Sequence, residues 1–270
     1  MTALNSNAEA GHKLAGWWPS SASITLPAAT AEWVSVALGG MLFALLGIAM
    51  AWSLIYIVVA AVGFALCTWL AQSLARGLIC VFASLGLLAA ALALLSRLVP
   101  ELFATLSLDW LVLFILWWVT ALLGAWAYRQ TGLGSDYGIA EIFGAIASLI
   151  IAAFVASKLN FHSDLLGYLT QAEDNAAWVT LTTAFGGSGS VGPEFAGTAT
   201  GAVVPLILGL LYSAQVSEIP ASNAVFAAYT MIIVLTPLLA VSLLRALTKQ
   251  RLMVTLSFSA ITFAWAYGPP

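Results

Sequence analysis

Long apolar runs separated by short polar breaks dominate this chain, and the breaks set its organisation. Spanning a bilayer takes roughly 20 predominantly apolar residues. The run 33–71 is about twice that length, so it predicts two helices hinged at Ala51-Trp52-Ser53. Runs at 78–95, 110–128 and 139–157 predict three more, each closed by a basic residue: Arg97, Arg129 and Lys158. Further on, 222–244 and 252–267 predict two others, with Arg245, Lys249 and Arg251 between them. The stretch 198–216 is apolar but interrupted by Gly201, Pro205 and Gly209. The expected fold class is all-α, a polytopic membrane helix bundle with seven to eight spans and one large external loop containing a juxtamembrane helix. The chain divides into a polar tail (1–30), a five-helix membrane region (31–157), the loop with its juxtamembrane helix (158–221) and two C-terminal membrane helices (222–270).

Charge decides how 198–216 is read. Cytoplasmic loops carry the excess of Lys and Arg. If 198–216 lies along the outer face or dips in and returns, Lys13, Arg76, Arg129, Arg245, Lys249 and Arg251 fall inside and only Arg97 and Lys158 outside. A full crossing would move Arg245, Lys249 and Arg251 outside, against the rule. The expectation is therefore seven full spans, an N-terminus in the cytoplasm and a broken interfacial helix at 198–216.

Composition narrows the class. The chain is 62% hydrophobic and 7% charged, too few charges to cover a water-facing surface. A net charge of −3 gives no basic patch for nucleic acid. The lipid bilayer is the expected partner and the plasma membrane of a bacterium the expected location. Cys67 and Cys80 lie inside apolar runs and read as small buried hydrophobes. The two histidines are not expected to supply the paired axial ligands of a haem-carrying helix bundle, and no Cys/His cluster suits zinc. Trp117 and Trp118 fall mid-span and predict packing, while Trp110 and Trp126 fall where interface anchors belong. Glu141 and Asp136 lie near a helix start, where acids complement the dipole. Arg97 is expected to pair with Glu101 or Asp109 on the outer face, which would make it tolerable there.

The candidate chemistry gathers between 158 and 220. Asp164, Glu173, Asp174 and Glu194 lie there, with His162 and the turn Gly186, Gly187, Ser188, Gly189, Ser190, Val191, Gly192. Glu173 and Asp174 can cap the helix start that follows them. Alternatively, one of them acts as a general base towards an acceptor hydroxyl, or helps hold a divalent cation against a phosphate. His162 and Asp164 stand two apart and would face away from each other on a helix. Successive N–H groups in a glycine-rich turn form an anion-binding nest, suited to a lipid-linked phosphate or to a permeating anion.

The order of features is acids, an aromatic (Trp178), a glycine-rich turn, a Pro-bearing juxtamembrane helix, then a span ending in Arg245-Ala246-Leu247-Thr248-Lys249-Gln250-Arg251. Over about 139–268 it resembles the first external loop and following helices of GT-C fold glycosyltransferases. That resemblance implies a polyprenyl-phosphate-linked sugar as donor, Asp174 as base with Glu173 or Asp164 assisting, and Gly186, Gly187, Ser188, Gly189, Ser190 and Gly192 against phosphate or acceptor. Five spans precede the loop here where the family has one, and the chain is shorter, so it is expected to be such an enzyme or part of one. Two other classes are a transporter or channel with a glycine-rich external gate, and a structural subunit of a larger membrane complex, with other membrane subunits as partners.

Overall fold

The computed structural model describes residues 27–99, 108–132, 138–157, 190–191, 203–216 and 222–247. Within them lie α1 (Ala28–Ala49), α2 (Leu54–Ala71), α3 (Leu74–Leu98), β1 (Leu108–Asp109), α4 (Trp110–Gln130), α5 (Ile139–Ser157), β2 (Ser190–Val191), α6 (Val203–Ser213) and α7 (Ser222–Leu247). The five helices α1 to α5 are each long and apolar enough to cross a membrane. The expected break at 51–53 is present: Ala51 takes a left-handed conformation (φ 55°) and Ser53 starts α2. The third helix begins earlier than its apolar run, because Ser73 caps it by accepting from the Arg76 N–H. The predicted span 252–267 lies outside the described residues.

The helices alternate in direction. α1, α3 and α5 run one way with short connections back through α2 and α4. Arg76 opens α3 and Arg129 closes α4, so both lie at one end of the bundle, as does Arg245 in the last turn of α7. We call this the arginine end. The opposite end holds the 50–53 corner, β1 and the starts of α2 and α4; we call it the loop end. α2 packs on α1, α3 and α4, and α5 lies between α1 and α7.

Close approach is achieved with small residues. A Cβ on Gly63 would stand 2.5 Å from the Trp118 ring, so α2 and α4 meet there with no room for a side chain. Gly144 gives the same intimacy between α5 and α7, its place for a Cβ 3.2 Å from Leu238 Cα. This is how apolar helices associate where lipid offers no hydrophobic driving force. Around these contacts the aromatic side chains of Phe43, Phe64, Phe114, Trp117 and Trp118 form one buried cluster, with Phe43 stacked on Phe64 at 4.3 Å and Phe114 edge-on to Trp117 at 5.4 Å. Trp117 satisfies its indole N–H on the Val81 carbonyl at 2.9 Å. Trp117 and Trp118 thus pack as expected. Trp126 is exposed, as an anchor should be, whereas Trp110 is not and is corrected below.

The helix α6 has 11 residues, about 17 Å of rise, close to half of a hydrocarbon core of about 30 Å. Earlier in the chain, Ser190 pairs with Asp109 and Val191 with Leu108 at the loop end. The chain leaves α6 at the same end, where Gln215 pairs with Trp52. The helix therefore ends at the loop end; residues 192–202, which lead into it, lie outside the described residues. Within it, Pro205 and Gly209 do not interrupt the helix as their sequence suggested. Pro205 occupies the first turn, where its missing N–H has no intrahelical partner to lose.

Candidate functional site

Of the residues singled out in the sequence, Asp164, Glu173, Asp174, Gly186, Gly187, Ser188, Gly189 and Gly192 lie outside the described residues, as do His162 and Glu194. Ser190 is described through its backbone, in β2. The β1–β2 pairing sets this member of the glycine turn directly across from Asp109, at the N-terminus of α4. The loop end is therefore where the described structure meets the candidate chemistry.

Three elements converge there. Asp109 caps α4, its Oδ1 accepting the Leu111 N–H at 2.6 Å; the Arg97 side chain and Glu101, named with it for an ion pair, lie outside the described residues. Asp109 remains exposed, and its charge reaches the Tyr56 hydroxyl in the first turn of α2. The Ser213 side chain at the end of α6 lies beside the Tyr56 hydroxyl. The clasp is completed by backbone: Ser53 N–H donates to the Ala214 carbonyl at 2.7 Å and Val216 N–H to the Ala51 carbonyl at 3.0 Å. The Gln215 side-chain amide adds a bond to the Met50 carbonyl at 3.1 Å.

Trp110 lies beneath this clasp. It is 2% exposed, because α6 covers it: a Cβ on Gly209 would come 2.6 Å from its ring. This overturns its reading as an interfacial anchor. An indole at the start of a span has the right position for a belt, but a glycine on a neighbouring helix lets that helix lie over it. Trp52 is likewise buried, edge-on to Phe114 at 5.5 Å. The indole N–H groups of Trp52 and Trp110 have no hydrogen-bond partner among the described residues. Sequence reasoning missed Tyr56, Ser213, Trp52 and Gln215 because each sits inside or beside an apolar run. Asp109 alone carried a legible signal, an acid just before a helix start.

The arginine end has its own polar centre. Glu141, in the first turn of α5, is buried and accepts from Ser73 Oγ at 3.0 and 3.2 Å and from the Leu74 N–H at 3.1 Å. The expected role, complementing the dipole of its own helix, is met with an addition: the carboxylate also sits at the start of α3 and ties it to α5. Arg76 lies over the Tyr128 ring at 5.3 Å and Arg129 over Trp69 at 4.9 Å. Such contacts hold cations beside the apolar span. Cys67 and Cys80 are free and buried, as expected. Between the two ends, α2 and α4 form an apolar groove of about 300 Å³, lined by Val58, Val62, Leu66, Ile115, Trp118 and Val119 among others.

Comparison of the chain with protein-family models, with curated proteins and with solved structures finds no match.

Proposed function

We propose that the chain is a GT-C-like glycosyltransferase, or the membrane part of one, acting on a polyprenyl-phosphate-linked sugar at the loop end of the bundle. The observation that carries this reading is the joint anchoring of β2 and α6 at that end. Ser190 of the glycine turn pairs beside the start of α4, and the C-terminal end of the short helix α6 is fastened to the 50–53 corner next to it. On this reading the acids of the loop and its glycine turn work beside that end, with α6 as the juxtamembrane helix.

The finer topology belongs to the same proposal. Seven spans cross, counting α7 and 252–267, and the loop end faces outward from a bacterial plasma membrane. Arg76, Arg129 and Arg245 at the arginine end, against Arg97 at the other, support this orientation. With it the N-terminus is cytoplasmic.

In the reaction, the oxygen of an acceptor hydroxyl attacks the anomeric carbon. The bond from that carbon to the phosphate oxygen breaks, and the polyprenyl phosphate leaves with the electron pair. Asp174 takes the hydroxyl proton, Glu173 or Asp164 assists, and the N–H groups of Gly186 to Gly192 hold the phosphate. A carboxylate beside lipid, partly stripped of water, is a stronger base than one in bulk solvent. The groove between α2 and α4 offers an apolar bed for a hydrocarbon chain. Among the described residues, the buried carboxylate Glu141 already serves two donors of the α3 start, which speaks against a pathway for ions through the bundle.

The test is transfer of radiolabelled sugar from a polyprenyl-phosphate donor by the full chain in lipid nanodiscs. Asp174→Asn is expected to abolish transfer while the thermal midpoint stays at the wild-type value. Transfer retained by Asp174→Asn refutes the assignment of the base. Substrate-driven flux through proteoliposomes, without any sugar transfer, refutes the enzyme.

A further inference from the structure

We propose that α6 is a lid over the loop end, and that lifting it offers Trp52, Trp110 and Tyr56 to an oxygen-bearing head group. The inference goes beyond the transfer reading and does not require it. The lid's seat is well made in places and frustrated in others. Leu210, Leu211 and Ala214 are buried, and the clasp to the 50–53 corner supplies two backbone bonds and the Gln215 bond. Closing the lid nevertheless leaves two indole N–H donors buried without an acceptor. An unsatisfied buried donor loses its water without recompense. The corner that receives the clasp is itself fixed by α1: Ala51, at φ 55°, and Trp52 return their N–H groups to the Ile48 and Gly47 carbonyls, so it stays in place as a seat. The indole penalty acts on the seated state and is relieved when α6 lifts.

The groups uncovered share one chemistry. Two indoles donate only, and the Tyr56 hydroxyl donates or accepts. They suit an acceptor-rich head group, whether the oxygens belong to a phosphate or to a sugar. The groove between α2 and α4 begins just below, at Val58 and Ile115, so a lipid tail lying in it would carry its head towards them.

The test is cysteine labelling of the full chain in nanodiscs with a membrane-impermeant maleimide. Leu211→Cys reports on the lid, and Leu46→Cys, fully buried near the same end in α1, reports on a fixed core position. Cysteine is smaller than leucine, so neither variant overpacks its site. The lid predicts that Leu211→Cys reacts at least about tenfold faster than Leu46→Cys. Adding Gly209→Ala, which lifts α6 off Trp110, raises the rate further. Equal rates for the two cysteines, or a Leu211→Cys rate that ignores Gly209→Ala, overturn the lid. Farnesyl phosphate and octyl glucoside serve as phosphate and sugar probes. A rate raised by one of them identifies which oxygens are held, and a rate raised by neither overturns the binding half of the inference.

Discussion

Replacing Glu141 with alanine should loosen the joint between α3 and α5 more than any other single truncation at the arginine end. The carboxylate takes the Ser73 hydroxyl and the Leu74 N–H, and both donors are buried. A hydrogen bond to a charged group contributes about 1.5–3 kcal/mol, and a buried donor left without a partner forfeits about 1–3 kcal/mol. Two such donors, partly rescued by rearrangement of Ser73, put the loss for Glu141→Ala at about 3–5 kcal/mol. Glu141→Gln keeps an acceptor oxygen in place and gives up chiefly the charge at the α3 N-terminus, about 1–2 kcal/mol. The assay is reversible unfolding in mixed micelles, followed by tryptophan fluorescence, with both variants titrated beside the wild type. An alanine variant within about 0.5 kcal/mol of wild type would refute the reasoning, since surface substitutions are of that size. So would a glutamine variant as damaged as the alanine, which would mean that the site depends on charge and hardly on the bonds.

Other contacts give separable expectations. Gly63→Ala forces a methyl against the Trp118 ring and should cost about 1–3 kcal/mol by overpacking, read in the same micelle titration. Trp117→Phe removes the donor to the Val81 carbonyl and should cost about 1 kcal/mol beyond the change in packing, separable by a double-mutant cycle with Trp118→Phe. Asp109→Asn should leave stability near wild type because Asn caps as well as Asp, while Asp109→Ala should cost about 1 kcal/mol in thermal denaturation.

Much of the helical layout was legible because hydrophobic run length is a strong signal when lipid is the solvent. The bounds of α5 match the apolar run 139–157 to the residue, and the 51–53 break was marked by a polar interruption in an overlong run. What escaped was contact between helices. Nothing in Trp110 itself distinguishes an indole at a membrane interface from one roofed by Gly209 about a hundred positions later. Glu141 was readable as an acid in a first turn, but not as an acceptor for Ser73 across 68 residues. Pro205 shows the opposite error: a residue that breaks helices in their interior is harmless in a first turn. The chemistry proposed for Asp174 was read from the order of features along the loop, and the described residues reach that loop through Ser190.

The account depends on α6 turning back at the end it came from, outside the membrane. Single cysteines at Ser190, Val216 and Thr131 in intact cells test this most directly, because Ser190 and Val216 flank α6 and Thr131 closes α4 at the arginine end. The expected result is that Ser190→Cys and Val216→Cys react with an impermeant maleimide added outside, and that Thr131→Cys reacts only after the cells are opened. Reaction of Ser190→Cys and Val216→Cys from opposite sides would mean that α6 threads the bilayer, and the surface-acting transferase would go with it.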